Sequence, residues 1–339
     1  MRILVTGGAG FIGSHLCEEL LSKGHEVFIL DDLSTGSIDN IKHLKESSKF
    51  HPFYESLLKT ELLSELIDQC ELIFHLAAVV GVKKVISSPV ETIDRNVKGT
   101  ELVLKFANLR KKRVFLTSTS EVYGKGNLPS FSESDDLTIG PPSIGRWSYA
   151  CSKAIDEFLA LAYWREYKLP TIIVRLFNVT GPRQTGRYGM VVPRFIEQAL
   201  NHQPLTIYGT GEQTRCFLYV KDAVEAIIKL AFHEKALGEV FNLGNPSEIS
   251  IHHLAKLVVQ LTHSSSPLHH IPYEQCYESD FEDMQRRVPN ITKIKSLISF
   301  EPKMELKDIL RLIITEKKKS MALPSSHIHP LKKELSALP

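Results

Sequence analysis

The chain has 339 residues, of which 43% are hydrophobic and 24% are charged, as is ordinary for a water-soluble globular protein. Its formal net charge of +2 gives no argument for a nucleic-acid partner or an anionic membrane surface, and no apolar run approaches the roughly 20 residues of a membrane span. The five cysteines lack metal-ligand spacing, and glycines interrupt the apolar start of the chain, unlike a signal peptide. We therefore expect a cytoplasmic protein with reduced thiols and no metal site.

The first half of the chain alternates between buried strands and amphipathic helices. Strands are predicted at 2–6, 26–30, 71–77, 113–119 and 171–179. Helices are predicted at 11–23, 91–110 and 150–168. Such alternation predicts an α/β fold, in which right-handed crossovers build a Rossmann-like, doubly wound parallel sheet.

The elements become shorter after about residue 180, where the segment GPRQTGRYG predicts a loop. Short helices are predicted at 192–201, 221–233 and 251–262, and strands at 205–208 and 239–242. We interpret residues 1–180 as the sheet domain, with segments from the C-terminal half exchanged into it, and 181–316 as a smaller C-terminal α/β substrate lobe. Residues 317–339 lose periodicity and gain Lys, Pro and Ser, which predicts a mobile tail.

A glycine turn follows the first strand directly and precedes the first helix. The first glycine, Gly7, permits a tight turn, Gly10 lets the backbone approach a pyrophosphate, and Gly13 lets the helix pack closely on the strand. Asp31 ends the second strand, where its carboxylate would accept hydrogen bonds from a ribose diol and repel a 2′-phosphate. This βαβ unit predicts a bound dinucleotide, with NAD preferred over NADP.

Tyr149 and Lys153 are four residues apart on a predicted helix, so that their side chains share one face. A nearby ammonium and a cationic nicotinamide ring would both lower the pKa of the Tyr149 phenol. The phenolate could then take the proton of a sugar hydroxyl while the carbon gives a hydride to NAD. Thr119 ends the preceding strand and could share a hydrogen bond with the same hydroxyl.

Nearly the whole folded chain, about residues 1–315, resembles the extended short-chain dehydrogenase/reductase family of nucleotide-sugar epimerases, dehydratases and decarboxylases. The matching stretches are TGGAGFIGSHL (6–16), DDLSTG (31–36), FHLAA (74–78), NVKGT (96–100), STSEVYG (118–124), YACSK (149–153), RLFNVTGPRQ (175–184), YGTGEQTRCFLYVKDAV (208–224), FNLGN (241–245) and RRVPNITK (286–293).

The resemblance implies a role for particular residues of these stretches. The implied catalytic residues are Thr119, Glu121, Tyr149 and Lys153. The implied NAD contacts come from Gly7, Gly10, Phe11, Ile12, Gly13, Asp31, Asp32, Leu76, Ala77, Ala78, Tyr149 and Lys153. The implied contacts to a nucleotide-sugar, in first place a UDP-sugar, come from Ser120, Asn178, Arg215 and Arg287. Family members often carry a Gly-Asp pair near the adenine, where this chain has Glu55 and Ser56, so the adenine contact stays open.

The enzymes of this family first oxidise the sugar C4 hydroxyl and then differ in the next step. The Ser120–Glu121 pair and the segment GRWSYACSK (145–153) are similar to UDP-glucuronate decarboxylases, in which a C4 ketone makes the C6 carboxylate a β-keto acid. We therefore expect decarboxylation, ahead of 4-epimerisation of UDP-glucose or UDP-glucuronate and of 4,6-dehydration. The alternative for Glu121 is a solvated or helix-capping carboxylate. A reading from a different class is a non-catalytic, NAD-binding scaffold, which predicts a broken catalytic triad.

Family members usually pair through two long helices, which here correspond to 91–110 and 150–168, so the resemblance implies a homodimer. The paired histidines His252–His253 and His269–His270 lack further metal ligands, and we expect them to be structural. The arginines that flank the loop glycines would either reach a phosphate or be solvated, and they are Arg183, Arg187 and Arg194.

Overall fold

The structure is a computed structural model that describes residues 1–186, 189–276, 282 and 284–322. Its strands are β1 Arg2–Thr6, β2 Glu26–Leu30, β3 Phe50–Phe53, β4 Leu72–His75, β5 Arg113–Thr119, β6 Thr171–Leu176, β7 Val179–Thr180, β8 Leu205–Tyr208, β9 Thr214–Cys216, β10 Leu218–Tyr219, β11 Val240–Leu243, β12 Glu248–Ser250 and β13 Leu268–Ile271. Its helices are α1 Phe11–Ser22, α2 Thr60–Gln69, α3 Val82–Ser87, α4 Pro89–Leu109, α5 Trp147–Tyr167, α6 Val191–Leu200, α7 Val220–Ala231, α8 Ile251–Thr262, α9 Tyr273–Cys276, α10 Thr292–Ile298 and α11 Leu306–Ala322.

Seven parallel strands form the central sheet in the order β11-β6-β5-β4-β1-β2-β3. The order reverses between β1 and β4, which is where ligands of doubly wound folds bind. The predicted Rossmann-like α/β fold is therefore confirmed. The edge strand β11 comes from the second half of the chain and pairs with β6. The three strand pairs β10-β7, β12-β9 and β13-β8 lie outside this sheet.

Alternate residues of each strand project to opposite sides of the central sheet, and the side chains on both sides are buried against helices. Ile3 and Val5 of β1 belong to a core cluster that includes residues of α1 and α7. Leu4, between them, belongs to a second cluster that includes residues of α2, α4 and α5. The apolar runs of the strands therefore supply buried side chains to the helices on both sides of the sheet. Of the helices in the described parts of the chain, none is long and apolar enough to cross a membrane.

Several element boundaries differ from those that the sequence predicts. Strand β6 ends at Leu176 instead of 179, and Asn178 has a φ of 33°, which an extended strand does not allow. Helix α11 continues to Ala322, so the part of the predicted tail from 317 to 322 is helical; residues 323–339 lie outside the described ones. The sequence analysis also missed β3 and α2. Pro52 lies within β3, which it tolerates because β3 is an edge strand of the sheet.

Candidate functional site

An elongated cavity of about 470 Å³ runs along the carboxyl ends of the central strands. It begins at the glycine turn after β1, passes Tyr149 and Lys153 on α5, and reaches Arg215 and Arg287 from the second half of the chain. Of the predicted site residues, all but Ser120 line this cavity. Ser120 is 1% exposed and lies outside the lining, so its predicted contact with substrate receives no support from its position.

The glycine turn has the geometry that its spacing predicts. Gly7 has a φ of 73°, a conformation that residues with a Cβ rarely adopt. A Cβ on Gly13 would overlap the carbonyl oxygen of Gly7, so the helix can approach the turn only with glycine there. Helix α1 begins without a side-chain cap and without an acidic residue in its first turn, among the residues that the structure describes. Its N-terminal N–H groups and positive dipole end therefore suit the pyrophosphate of a dinucleotide.

Two carboxylates line the cavity beyond the glycine turn, after β2. Asp31 is buried, and its oxygens accept hydrogen bonds from the backbone N–H groups of Ala9 and Leu33 at 2.9 and 2.8 Å. Burial raises the pKa of Asp31 in spite of these hydrogen bonds. Asp32 forms an ion pair with Arg95 of α4, with 2.9 Å between the nearest oxygen and nitrogen. These groups give the cavity a wall of hydrogen-bond acceptors that suits a ribose diol.

Tyr149 and Lys153 face the middle of the cavity from α5, as the four-residue spacing predicts. The Tyr149 pKa lies above its usual value, which is the opposite of the lowering that a nearby ammonium predicts. Burial and the negative charge of Glu121 raise that pKa, and a hydrogen bond with Thr119 offsets them only in part. The Lys153 ammonium donates a hydrogen bond to Asp156 at 2.8 Å, so its charge is already paired within the helix.

Glu121 lies between two arginines next to Tyr149. One carboxylate oxygen accepts a hydrogen bond from Arg146 at 3.0 Å, and the other lies 3.4 Å from a nitrogen of Arg287. Burial acts to raise the Glu121 pKa, but Arg146 and Arg287 outweigh it, so that the pKa lies below its usual value. The solvated or capping alternative for Glu121 is thus not what the structure has, because this carboxylate is ionised, 17% exposed and paired with cations.

Asn178 lines the cavity and joins the segments that carry Cys216 and Arg287. Its amide nitrogen donates to the carbonyl of Cys216 at 3.0 Å, and its amide oxygen accepts from Arg287 at 3.1 Å. Arg215 is held by the backbone carbonyls of Thr214 and Met284, both at 2.8 Å. The two guanidinium groups are therefore fixed by polar contacts, and their forked donors suit a diphosphate or a carboxylate.

The three loop arginines differ in their positions and contacts. Arg194 lines the cavity, stacks over the Tyr208 ring at 4.2 Å and has two buried N–H groups, Nε and Nη1, without a partner among the described residues. An anionic or carbonyl-bearing ligand would satisfy them. Arg183 instead pairs with Glu18, away from the lining. Arg187 lies outside the described residues.

Sequence reasoning gave no role to Arg146, Asp156, Arg95 or Tyr208. Arg146 and Asp156 flank the Tyr149–Lys153 pair at helical spacing, three residues before Tyr149 and three after Lys153, and this periodicity was the available signal. Arg95 and Tyr208 reach the cavity from separate elements, and no local pattern marks them. Ser56 lines the cavity, whereas its neighbour Glu55 pairs with Lys59. Among the described residues, no group of three His, Cys, Asp or Glu side chains could hold a metal ion.

Comparisons with known proteins agree with this geometry. The family model described as GDP-mannose 4,6 dehydratase matches residues 4–313. The chain is 47% identical over 302 residues to the UDP-N-acetyl-alpha-D-glucosaminuronate decarboxylase of Bacillus cytotoxicus, covering 89% of this chain and 92% of that protein. It is 37% identical over 314 residues to UDP-glucuronic acid decarboxylase 5 of Arabidopsis thaliana, covering 92% and 88%.

A solved structure has the same fold over nearly the whole chain. The UDP-glucuronic acid 4-epimerase from Bacillus cereus, in complex with UDP-glucuronic acid and NAD, matches with a TM-score of 0.84 and 30% identity, covering 94% of this chain and 100% of that chain. The resemblance that the sequence motifs indicate is thereby confirmed. The chain is an enzyme of the GDP-mannose 4,6-dehydratase-like family of extended short-chain dehydrogenases/reductases.

Proposed function

We propose that this enzyme decarboxylates a UDP-linked hexuronate through a C4-keto intermediate, with NAD as cofactor. The observation that carries the proposal is the cationic pair Arg146 and Arg287 beside Tyr149, which prepares that part of the cavity for a carboxylate. The 47% identical relative is named for UDP-N-acetyl-glucosaminuronate, and we propose its substrate as the first to test. UDP-glucuronate, which the sequence analysis favours, is the second.

NAD would lie along the glycine turn, with its ribose near Asp31 and Asp32 and its nicotinamide near Lys153. When bound, NAD supplies a hydride acceptor for the sugar C4–H. Tyr149 takes the proton of the C4 hydroxyl on its phenolate oxygen, which leaves a C4 ketone. The Thr119 side chain, hydrogen bonded to Tyr149, orients the phenol toward that hydroxyl.

The ketone at C4 makes the C6 carboxylate a β-keto acid. Arg287 lines the cavity between Glu121 and Asn178, and its forked guanidinium would bind the substrate carboxylate. The ionised Glu121 then lies close to a second negative charge, which favours breaking of the C5–C6 bond and release of CO₂. The electrons of the broken bond move onto the C4 oxygen, and C5 then takes a proton from water, which restores the C4 ketone. Bound NAD would supply the hydride for C4, and Tyr149 would return its proton to the C4 oxygen, which gives a UDP-pentose.

A 4-epimerase is the second candidate, because the structure with a TM-score of 0.84 is named for that reaction on UDP-glucuronic acid. In that reaction the carboxylate stays, the ketosugar turns over in the cavity, and the hydride returns to its other face. The first step at Tyr149 is the same, so only the products distinguish the two reactions.

The test is to incubate the purified protein and NAD with UDP-N-acetylglucosaminuronate, UDP-glucuronate and UDP-glucose separately, and to identify the products by NMR. We expect CO₂ and a UDP-pentose from a uronate and no reaction with UDP-glucose, with Tyr149→Phe as the inactive control. A UDP-galacturonate-type product with all its carbons would make the enzyme a 4-epimerase. Turnover of UDP-glucose would contradict the role of the two arginines.

We also propose that the enzyme is a cytoplasmic homodimer that pairs through α4 and α5. These helices pack side by side and expose apolar side chains, of which Phe158 is 70% exposed and Val90 is 79% exposed. Phe158, Ile155 and Ile93 would be buried between four helices in the dimer. A cytoplasmic location agrees with the free thiols of Cys17, Cys70, Cys151 and Cys216.

A further inference from the structure

Three side chains of α5 share one helical face in the site. Tyr149, Lys153 and Asp156 follow at intervals of four and three residues, so that each lies about one turn from the next. The Lys153 ammonium and the Asp156 carboxylate are 2.8 Å apart, and their side chains are 3% and 1% exposed. The proposed mechanism uses the first two residues and gives no role to Asp156.

Stability alone is a poor reason for this carboxylate. Removing two charges from water costs more than their attraction commonly returns, and an apolar pair of the same volume is often at least as stable. Burial raises the pKa of Asp156, while Lys153 and the Thr100 hydroxyl favour its charged form. The neighbouring Glu157 has a separate partner, because it binds the Arg175 guanidinium at 2.8 Å. Among the described residues, Asp156 therefore forms an ion pair with Lys153 and with no other cation.

Three charged side chains and one hydrogen bond act on the Tyr149 phenol. Glu121 after β5 and Asp156 on α5 act against a phenolate at this position. Arg287 acts in its favour, as does the hydrogen bond with Thr119. Asp156 itself faces Lys153 and Glu157 on its own helix and Thr100 on α4, and Thr100 is hydrogen bonded in turn to His75 of β4 at 3.1 Å.

We propose that Asp156 is a positioning residue, which holds the Lys153 ammonium and makes phenolate formation at Tyr149 depend on a cationic nicotinamide. The proposal rests on the proposed acid–base role of Tyr149. With the oxidised cofactor in place, its positive charge offsets Asp156, and Tyr149 can give up its proton. After hydride transfer that charge is gone, and the two carboxylates keep the proton on Tyr149 until it returns to the sugar oxygen.

The experiment compares Asp156→Asn with the wild type and with Asp222→Asn. Asp222 is a matched control, because it is also a buried helical carboxylate, but it accepts hydrogen bonds from the backbone of Lys303 and Met304 outside the cavity. For each protein, kcat/KM is measured against pH with the uronate substrate that proves active. The tyrosinate is titrated by ultraviolet difference absorbance without substrate, and the Tyr149→Phe titration of the same background is subtracted.

Removal of the Asp156 charge should stabilise the phenolate. The acid limb of kcat/KM and the Tyr149 titration should both move to lower pH by on the order of one pH unit, a shift typical of one nearby charge. Asp222→Asn should leave both curves in place. An unchanged or upward-shifted limb in a folded Asp156→Asn enzyme, with Tyr149→Phe inactive, would overturn this proposal alone. An active Tyr149→Phe enzyme would instead overturn the acid–base assignment on which it rests.

Discussion

Several charged residues of the site form ion pairs with one another. Lys153 contacts Asp156, Asp32 contacts Arg95, and Glu121 contacts Arg146. A preformed arrangement of this kind reduces the reorganisation needed when substrate binds, because each side chain is already held in one orientation. A ligand that binds one of these side chains must also compete with its ion-pair partner, so the partners influence specificity.

The first prediction concerns the proton acceptor. Tyr149→Phe should lower kcat by about 10²–10⁴-fold or more, because only the hydroxyl that carries the proton is lost. NAD should still bind, since the glycine turn is untouched, and fluorescence titration with NAD checks this. Tyr163→Phe makes the same change on the same helix, outside the cavity lining, and should keep full activity. A Tyr149→Phe enzyme with wild-type turnover would contradict the mechanism.

A second prediction concerns the choice between NAD and NADP. Arg95 lines the cavity next to Asp31 and Asp32, but the Asp32 carboxylate holds it at 2.9 Å. Asp32→Asn removes one negative charge from the place where a 2′-phosphate would lie and releases a guanidinium that can bind it. We expect the ratio of the Kd for NADP to that for NAD to fall by about tenfold, or 1.4 kcal/mol.

Isothermal titration of the cofactor-free protein with each dinucleotide would measure this ratio. Asp39→Asn is the control, because Asp39 lies in the same segment but pairs with Lys42 outside the cavity. If the two variants show equal ratios, Asp32 does not contribute to the discrimination.

The glycine turn of the site could be predicted from the sequence, whereas the ion pairs between distant residues could not. The glycine turn depends on residues within one βαβ unit, so its spacing predicts its geometry. The contact of Arg146 with Glu121 joins residues 25 positions apart, and only the packing of α5 against the end of β5 brings them together. The Tyr149 pKa is raised, against the expectation from sequence, because the assembled fold buries the phenol and places Glu121 beside it.

At the scale of elements, a chain of buried hydrogen bonds connects β1, β4 and α4 beneath the cavity. The His75 ring is hydrogen bonded to the Thr6 hydroxyl at 2.8 Å and to the Thr100 hydroxyl at 3.1 Å. Burial, aided by the positive charge of Lys153, lowers the pKa of His75 to about 3. The ring is therefore neutral at neutral pH and fixes the strand that carries Leu76 and Ala77 into the cavity.

This histidine predicts how the stability of the fold depends on pH. Its pKa is about 3 in the folded protein and near 6.5 when unfolded, so between these values the unfolded state binds the extra proton. Its contribution is complete above pH 6.5 and falls by about 1.4 kcal/mol for each pH unit below that. Urea unfolding of wild type and His75→Gln at pH 7, 6 and 5 should show a smaller pH slope for the variant. Equal slopes would contradict the prediction.

The elements themselves were predictable where their apolar pattern is long. Strands β1, β2 and β5 appear where the sequence predicts them, because each contains a run of apolar residues that contributes to both core clusters. Strand β3, with Pro52 inside it, has no such signal, and its pairing with β2 is a property of the assembled sheet. Likewise, the sequence could not indicate that β11 would pair with β6, because some 60 residues separate them.

At the scale of the whole molecule, α4 and α5 share a face that exposes apolar side chains. Ile93 on α4 and Ile155 and Phe158 on α5 are 43%, 44% and 70% exposed, on two helices that pack against each other. Apolar side chains gathered on such a surface are typical of an interface. Because α5 also carries Tyr149 and Lys153, burial of this face in the proposed dimer would hold the helix with the proposed catalytic residues between the two subunits.

The proposed homodimer predicts the effect of one substitution on both assembly and activity. Phe158→Glu places a charge in the centre of the proposed interface, where it would be buried without a partner, so we expect a monomer by light scattering at micromolar concentration. Phe232→Glu makes the same change at another exposed phenylalanine, which is 39% exposed at the end of α7, and should leave the dimer intact. The Phe158→Glu monomer should also be less active than the wild type, because the partner subunit would no longer hold α5 in place. A wild-type protein that is already monomeric would refute the dimer, and the exposed face would then need a different occupant.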